Sequence, residues 1–123
     1  MNDHHEDDGI LLIEDDPFVQ EVVSHHLKNQ GYEVWVAADP EAARGIMDRH
    51  GDHVKLLVVD SGLPVQSGES IADELKARFE KTRVLLISGY PRPVEPSEEM
   101  YPFLQKPFSG AELVERVNEL MAT

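Results

Sequence analysis

Short, continuous apolar runs recur along the chain, and this pattern is typical of strands that are buried on both faces of a parallel sheet. Three runs are clear, at Ile10 to Ile13, Leu56 to Val59 and Val84 to Ile87. Two weaker runs lie at Glu33 to Ala37 and Pro102 to Gln105. The pattern therefore predicts five strands, the last of them a short edge strand.

Apolar residues at helical spacing fill most of the gaps between these strands, and capping residues mark where each helix begins. The predicted first helix runs from Pro17 to Asn29 after the N-cap Asp16. The second helix is predicted to begin at Pro40 after the N-cap Asp39, and the third near Ser67 or Gly68. The last helix is predicted to begin with Ser109. Ser109 gives the strongest signal, because Glu112 three residues later completes a capping box.

Strands and helices alternate through the chain, which predicts an α/β fold: a doubly wound parallel sheet with right-handed crossovers and helices on both faces. Residues 90–102 break this pattern, since they contain four of the eight prolines. Proline disrupts the interior of a helix, so any helix in this segment must be short, for example Pro96 to Met100.

Length and charge narrow the range of functions. The 123 residues suffice for one domain, predicted over residues 9–123 after a disordered acidic tail at residues 1–8. The formal net charge of −13 repels nucleic acid and anionic lipid, so neither is an expected partner. The chain has no cysteine, no signal-peptide core and no apolar run as long as a membrane span. A cytoplasmic location is the simplest expectation.

Polar side chains stand at the ends of three predicted strands. Glu14 and Asp15 follow the first strand, Asp60 the third and Ser88 the fourth. The carboxyl ends of parallel strands meet at one edge, so we expect these groups to lie together where the winding reverses. Clustered carboxylates need a cation, and all-oxygen ligands suit magnesium, with a fixed lysine as a further charge. Taken singly, each group has a plainer explanation as a helix cap, a turn residue or a loop hydroxyl, and Lys106 as a solvated charge.

Four segments, taken in order, carry a family resemblance. They are ILLIEDDP at 10–17, LLVVDSGLPVQSG at 56–68, VLLISGY at 84–90 and FLQKPF at 103–108. They resemble the receiver domain of two-component response regulators, and the resemblance covers about residues 9 to 121. It implies a flavodoxin-like sheet of five strands in the order 2-1-3-4-5, with the family's fourth helix short or irregular here. The SGYP and FLQKPF segments look most similar to receivers attached to hybrid histidine kinases.

The resemblance implies that Asp60 is the phosphoacceptor, which takes a phosphoryl group from the phosphohistidine of a sensor histidine kinase or a histidine phosphotransfer protein. It also implies a Mg²⁺ site formed by Asp15, Asp60 and the backbone carbonyl of Gly62, with Glu14 acting through a water. Mn²⁺ or Ca²⁺ can substitute for Mg²⁺ in such a site.

The resemblance also implies which residues bind the phosphoryl group and which change conformation in response to it. Lys106, next to a cis peptide bond with Pro107, is expected to pair with a phosphoryl oxygen. Ser88 is expected to donate a hydrogen bond to the phosphoryl group, and Phe103 to turn inward in response; a plain core role is the alternative for Phe103. Gly62, two places after Asp60, and Tyr90, two places after Ser88, are the positions expected to control the lifetime of the phosphoryl group.

The leading hypothesis is a phosphoacceptor signalling module with a downstream protein target, and not an enzyme beyond its own phosphotransfer and dephosphorylation. The enzyme alternative is a magnesium-dependent phosphatase of the haloacid-dehalogenase type, which needs a second aspartate where Gly62 stands. A flavodoxin-like binding protein is a third hypothesis, although EDDP after the first strand would repel a flavin phosphate. His25 and His26 are candidates for a kinase-docking face on the first helix.

Overall fold

The computed structural model describes residues 8–89 and 101–122, and within them strands and helices alternate as predicted. The strands are β1 Gly9–Ile13, β2 Glu33–Ala37, β3 Val54–Asp60, β4 Arg83–Ser88 and β5 Phe103–Gln105. The helices are α1 Pro17–Asn29, α2 Pro40–His50, α3 Gly68–Arg78 and α4 Gly110–Met121, with a 3₁₀ turn at Gly51–His53 before β3. The predicted strands are confirmed, and β3 and β4 extend beyond their predicted bounds at both ends.

All five strands are parallel and lie in the order β2-β1-β3-β4-β5, which confirms the predicted doubly wound sheet. The winding runs from β1 to β2 in one direction and from β3 to β5 in the other, so it reverses between β1 and β3. The register sets Ile13 beside Val59, and Asp60 beside Ile87 of β4. The polar residues that end β1 and β3 therefore share one edge of the sheet at the switch point.

Both faces of the sheet are buried, because alternate residues of each strand point to opposite helix layers. In β1, Leu11 and Ile13 belong to the core shared with α2 and α3, whereas Ile10 and Leu12 belong to the core shared with α1 and α4. All four side chains are fully buried, and each such burial stabilises the fold by about 1.5–3 kcal/mol. Coverage on both faces explains why the strands read as continuous apolar runs.

Side-chain caps begin the four helices where the sequence predicts them. The N-caps are Asp16, Asp39, Ser67 and Ser109, each accepting a hydrogen bond from a backbone N–H of the first turn. Because Ser67 is the N-cap, α3 begins at Gly68, one of its two predicted starts. At α4 the capping box is complete: Ser109 N donates to Glu112 Oε1 at 3.1 Å, and Glu112 N donates to Ser109 Oγ at 3.0 Å.

Three of the sequence-based predictions concern residues outside the described part of the chain. They are the acidic tail apart from Asp8, the short helix at Pro96 to Met100, and the role of Tyr90. Within residues 8–89 and 101–122, no helix combines the length and the apolar character needed to cross a bilayer.

Candidate functional site

Three carboxylates meet at the carboxyl edge of the sheet between β1 and β3. Glu14 and Asp15 directly follow β1, and Asp60 is the last residue of β3. One carboxylate oxygen of each residue lies within 4.8 Å of the other two. Glu14 and Asp60 are buried, with 1% and 7% of their surface exposed, whereas Asp15 is exposed. The structure thus brings together the acidic residues that follow β1 and end β3, as predicted from their positions at the ends of parallel strands.

Lys106 supplies a positive charge to this cluster from the loop after β5. Its Nζ lies 2.9 Å from Glu14 Oε1 and 3.3 Å from Asp60 Oδ1. Its backbone N–H donates to the carbonyl of Ser88 at 2.7 Å, and the peptide bond from Lys106 to Pro107 is cis, as the resemblance implies. Because the lysine bridges two buried carboxylates, its plainer explanation as a solvated surface charge does not hold.

Burial and charge act in opposite directions on the ionisable groups of the site. Burial raises the pKa of Glu14, against the lowering effect of hydrogen bonds from Lys106 and from the backbone N–H of Asp16. Burial lowers the pKa of Lys106, but its hydrogen bond to Glu14 and the charges of Glu14 and Asp60 outweigh this, so the pKa is raised overall. One protonated ammonium faces three carboxylates, so the cluster keeps an excess of negative charge that a bound cation would compensate.

Backbone and side-chain hydrogen bonds hold Glu14 in place. Its N–H donates to the carbonyl of Ala37 at 3.0 Å, and the N–H of Asp16 donates to its Oε2 at 3.1 Å. Gln20 of α1 donates its Nε2 to the carbonyl of Glu14 at 2.6 Å. Gln20 is not predicted as a site residue from the sequence. The only signal for it there is its position near the start of α1, a few residues after Glu14.

The loop after Asp60 depends on a glycine at a position too crowded for any side chain. A Cβ on Gly68 would lie 2.2 Å from the carbonyl oxygen of Asp60 and 2.8 Å from the Cα of Ser61. Gly62 is different, because it is exposed and a Cβ there would lie 3.9 Å from Asp60 Oδ2, an ordinary contact. A side chain at position 62 would therefore border the Asp60 carboxylate, whereas one at position 68 would displace the backbone.

A polar network ties this loop to α2 and α3. Arg44 of α2 donates its Nε to Glu74 Oε2 at 2.6 Å and its Nη2 to Gln66 Oε1 at 2.5 Å. Gln66 donates its Nε2 to Ser70 Oγ at 3.1 Å. Hydrogen bonds from Arg44 and Gln66 lower the pKa of Glu74 to about 2. This network is not predictable from the sequence, because each residue by itself is an ordinary polar residue on a helix surface or in a loop.

Ser88 and Phe103 lie on neighbouring strands at different depths. Ser88 ends β4, has 3% of its surface exposed, and pairs with Gln105 of β5. Since Asp60 lies beside Ile87, Ser88 follows at the same edge of the sheet. Phe103 begins β5 and is half-buried against the core shared with α2 and α3. Their roles as a switch pair stay predictions.

The acidic cluster fits a hard divalent cation. All three side chains offer carboxylate oxygens, the ligand type of Mg²⁺, Mn²⁺ and Ca²⁺. Opposite ligands of an octahedral Mg²⁺ lie about 4.2 Å apart. One oxygen from each of the three carboxylates lies within 4.8 Å of the other two, which brings all three within reach of a single cation.

A sequence model of the response regulator receiver domain matches residues 10–118. The chain belongs to this family. It is therefore a receiver domain of the two-component type, which confirms the resemblance found in the sequence. Members of the family generally accept a phosphoryl group, bind Mg²⁺ through acidic residues and interact with histidine kinases or phosphotransfer proteins.

Two similar proteins illustrate the kinds of chain in which this domain occurs. The sensor kinase CckA of Brucella abortus is 30% identical over 116 residues, which cover 91% of this chain and 12% of CckA. The transcriptional regulatory protein AruR of Pseudomonas aeruginosa is 29% identical over 119 residues, covering 91% of this chain and 48% of AruR. The chain therefore spans less than half the length of these two relatives.

Solved structures agree with the sequence comparisons. The crystal structure of the receiver domain from the hybrid histidine kinase CckA has a TM-score of 0.81 at 32% identity, covering 92% of this chain and 98% of that one. The Vibrio cholerae chemotaxis protein CheY4 shares the fold, with a TM-score of 0.79 at 23% identity and coverage of 91% and 97%. The predicted likeness to receivers of hybrid histidine kinases is confirmed.

Proposed function

We propose that Asp60 accepts a phosphoryl group from the phosphohistidine of a sensor histidine kinase or a histidine phosphotransfer protein, and that residues 9–123 form the receiver domain. The observation that carries this proposal is the position of the Asp60 carboxylate at the switch point. It lies 3.3 Å from Lys106 Nζ and within 4.8 Å of carboxylate oxygens of Glu14 and Asp15. A nucleophile, a fixed cation and oxygen ligands for a metal thus stand together.

In the proposed reaction, a carboxylate oxygen of Asp60 attacks the phosphorus of the phosphohistidine. A P–O bond forms as the P–N bond breaks, and the imidazole leaves with the electron pair and takes up a proton. Lys106, which lies between Glu14 and Asp60, then pairs with a phosphoryl oxygen. Mg²⁺ held by Asp15, Asp60 and the carbonyl of Gly62, with Glu14 acting through a water, would neutralise charge on the transferring group.

Ser88 and Phe103 form the proposed route from the phosphoryl group to a protein-binding surface. Ser88 lies at the same strand-end edge as Asp60, so a phosphoryl group there is expected to draw its hydroxyl into a hydrogen bond. Phe103 is half-buried near the start of β5 and is expected to turn further inward when Ser88 moves. The phosphoryl group would in this way bias a surface between two states and favour binding of a downstream protein.

The phosphoacceptor role can be tested with Mg²⁺ and acetyl phosphate, a small phosphoryl donor. The wild-type protein is expected to gain one hydroxylamine-labile phosphoryl group in its intact mass, whereas Asp60→Asn gains none. Asp52→Asn, an exposed carboxylate before β3, is the matched control and is expected to behave as wild type. Labelling of Asp60→Asn at the wild-type level would contradict the proposal. Turnover of phosphate esters far above that of Asp60→Asn would favour the phosphatase alternative.

The switch can be tested separately from phosphorylation with beryllofluoride, an analogue of the bound phosphoryl group. In the wild-type protein with Mg²⁺, the ring resonances of Phe103 are expected to shift on addition of beryllofluoride. Ser88→Ala is expected to keep beryllofluoride binding but to reduce the shift at Phe103, because the hydroxyl that couples the two is absent. Phe103 resonances that do not respond in the wild type would refute the switch.

Gly62 offers a test of what controls phosphoryl lifetime. A side chain at position 62 would border the Asp60 carboxylate, because even its Cβ would lie 3.9 Å from Oδ2. Gly62→Gln is therefore expected to hinder access of water and to slow loss of the phosphoryl group several-fold. Gly45→Gln, at a position of α2 where a Cβ would make only an ordinary 3.7 Å contact with the Arg49 side chain, is the control and is expected to leave the rate unchanged. Equal rates for both variants and wild type would remove position 62 from this role.

A further inference from the structure

A basic cavity lies at the amino-terminal edge of the sheet, opposite the acidic cluster. It has a volume of about 910 Å³ and lies between the 3₁₀ turn, the end of α3, and the starts of β3 and β4. Lys55 lines the cavity near the start of β3 and Asp60 ends that strand, so about 17 Å of strand separates the two sites. None of the residues proposed for phosphoryl transfer lines this cavity.

Positive charge is concentrated in the cavity although the chain as a whole is strongly acidic. The cations that line it are Lys55, Lys76, Arg78, Lys81 and Arg83, five of the chain's 11 lysines and arginines. Two carboxylates, Asp52 and Glu80, also line it. In a chain of formal net charge −13, a concave site where cations outnumber carboxylates reverses the local sign of the charge and attracts anions.

The wall of the cavity is held by hydrogen bonds within the protein. Lys76 donates its Nζ to the carbonyls of Glu80 at 3.0 Å and Thr82 at 2.9 Å, which fixes the turn between α3 and β4. The buried hydroxyl of Thr82 donates to the carbonyl of Val54 at 3.0 Å and joins this turn to β3. The cavity is therefore a built feature of the fold, and Lys76 is used in its construction.

The other cations differ in whether the protein already neutralises them. Arg78 pairs with Asp48 at 2.6 Å outside the cavity lining. Lys55, Lys81 and Arg83 have no ion pair or side-chain hydrogen bond with any residue in the described ranges 8–89 and 101–122. Three cations thus line one cavity with their charges available to a ligand.

Part of the cavity is apolar, which bears on the kind of anion it would hold. Phe79 and Val54 line it beside the cations. The Phe79 ring is fixed against Gly51, where a Cβ would lie 2.3 Å from a ring carbon. A volume of about 910 Å³ falls within the range of small-molecule pockets, about 300–1,000 Å³. A ligand with both an organic group and several negative charges matches this lining better than a bare anion.

We propose that this cavity binds a nucleotide-class ligand, with its phosphates on Lys55, Lys81 and Arg83 and its organic group against Phe79. The cavity is concave and of small-molecule size, which favours such a ligand over an acidic segment of a partner protein. The proposal goes beyond the phosphoacceptor function and does not depend on it, because the two sites share no residue.

The test uses ADP as the probe and the ¹⁵N-labelled chain at low salt, with EDTA present so that no metal draws ADP to the acidic cluster. Titration is expected to give saturable shifts of the backbone amides of Lys55, Lys81 and Arg83. The double change Lys55→Gln with Lys81→Gln is expected to raise the Kd at least about tenfold, or about 1.4 kcal/mol. The matched control, Lys28→Gln with Arg49→Gln, removes the same charge outside the cavity lining and is expected to change the Kd less than about twofold.

Four results would overturn the proposal. The first is the absence of saturable shifts at about 10 mM ADP, a concentration above any useful small-molecule affinity. The second is an equal loss of affinity in both double variants, which would show attraction by overall charge alone. The third is binding of inorganic pyrophosphate, which has the same number of phosphates as ADP, as tight as that of ADP, which would leave the apolar wall without a role. The fourth is binding of a polyglutamate peptide but not of ADP, which would make the cavity a docking surface for an acidic protein.

Discussion

Replacement of Asp60 by asparagine is expected to stabilise the metal-free protein, although it removes the proposed phosphoacceptor. Asp60 is buried near two other carboxylates, Glu14 and Asp15, and one ammonium, Lys106. At an effective dielectric constant of about 20, unit charges at the 4.8 Å limit of the cluster repel by about 3.5 kcal/mol. The attraction to Lys106 at 3.3 Å is about 5 kcal/mol on the same scale.

The two repulsions therefore exceed the one attraction by about 2 kcal/mol. Asp15 is exposed, so solvent screens its share, and the expected gain for Asp60→Asn is about 1 kcal/mol. The loss of the desolvation cost of a buried carboxylate acts in the same direction. Binding of Mg²⁺ should reverse the order, because a ligand that binds only the folded state at about 100 times its Kd adds about 2.7 kcal/mol. Asp60→Asn loses one of the three carboxylates that would bind the ion, so it should gain less from Mg²⁺.

The assay is urea unfolding followed by far-ultraviolet circular dichroism, in EDTA and then in saturating Mg²⁺. A gain of about 1 kcal/mol moves the urea midpoint upward by about 0.5 M. Glu115→Gln, which removes the same charge from an exposed position of α4, is the control and is expected to stay within about 0.5 kcal/mol of wild type. An Asp60→Asn protein that is less stable than wild type in EDTA would refute the reasoning, because it would show that Lys106 over-compensates the cluster.

Three further predictions follow from contacts around the site. Hydrogen bonds, first from Arg44 and then from Gln66, lower the pKa of Glu74 from 4.5 to about 2. This carboxylate therefore stabilises the fold fully above pH 4.5 and progressively less as the pH falls toward 2. The urea midpoint of Glu74→Gln should therefore lie below that of wild type at pH 7, and the gap should close between pH 4.5 and 2; a constant gap would contradict this. Gly68→Ala should cost about 1–3 kcal/mol and slow labelling of Asp60 by acetyl phosphate, since its Cβ would overlap the Asp60 carbonyl; unchanged labelling and stability would show that the loop relaxes. Ser109→Ala should cost about 1 kcal/mol in urea unfolding with phosphorylation intact, and no loss would mean that the capping box adds nothing.

The sequence predicts most of the fold because the fold rests on local signals. Continuous apolar runs locate the strands, and a side-chain cap with an apolar stripe locates each helix. The alternation of these elements then leaves few topologies, and the edge shared by Glu14, Asp15 and Asp60 follows from the parallel sheet alone. The contact of Lys106 is harder to predict, because nothing in the sequence around it indicates that it pairs with Glu14, which lies 92 residues earlier in the chain. Its role is predicted only from the family resemblance.

Features that depend on exact distances are beyond the sequence. Gly68 reads as a helix start, and only the 2.2 Å approach to the Asp60 carbonyl shows why no side chain fits. Arg44 and Glu74 lie 30 residues apart, and either is an ordinary exposed helix residue until the two helices are packed. The basic cavity is hidden for a related reason, because its cations are scattered over three elements of a chain whose overall charge has the opposite sign.

Helix dipoles account for only some of the cations at the amino-terminal edge of the sheet. The cations that they do not account for are the ones proposed to bind the phosphates of a ligand. In a doubly wound sheet the helices run antiparallel to the strands, so their carboxyl ends, which favour cations, collect at the edge opposite the acidic cluster. Lys76 and Arg78 lie in the last turn of α3 and gain this stabilisation, in addition to their internal partners. Lys55, Lys81 and Arg83 lie outside the helices, and none of them forms an ion pair or a side-chain hydrogen bond within the described residues. Removal of Lys55 and Lys81 should therefore weaken anion binding at least about tenfold at little cost to the stability of the fold. Removal of Lys76 should lower both the affinity for the anion and the stability, because Lys76 also holds the turn between α3 and β4.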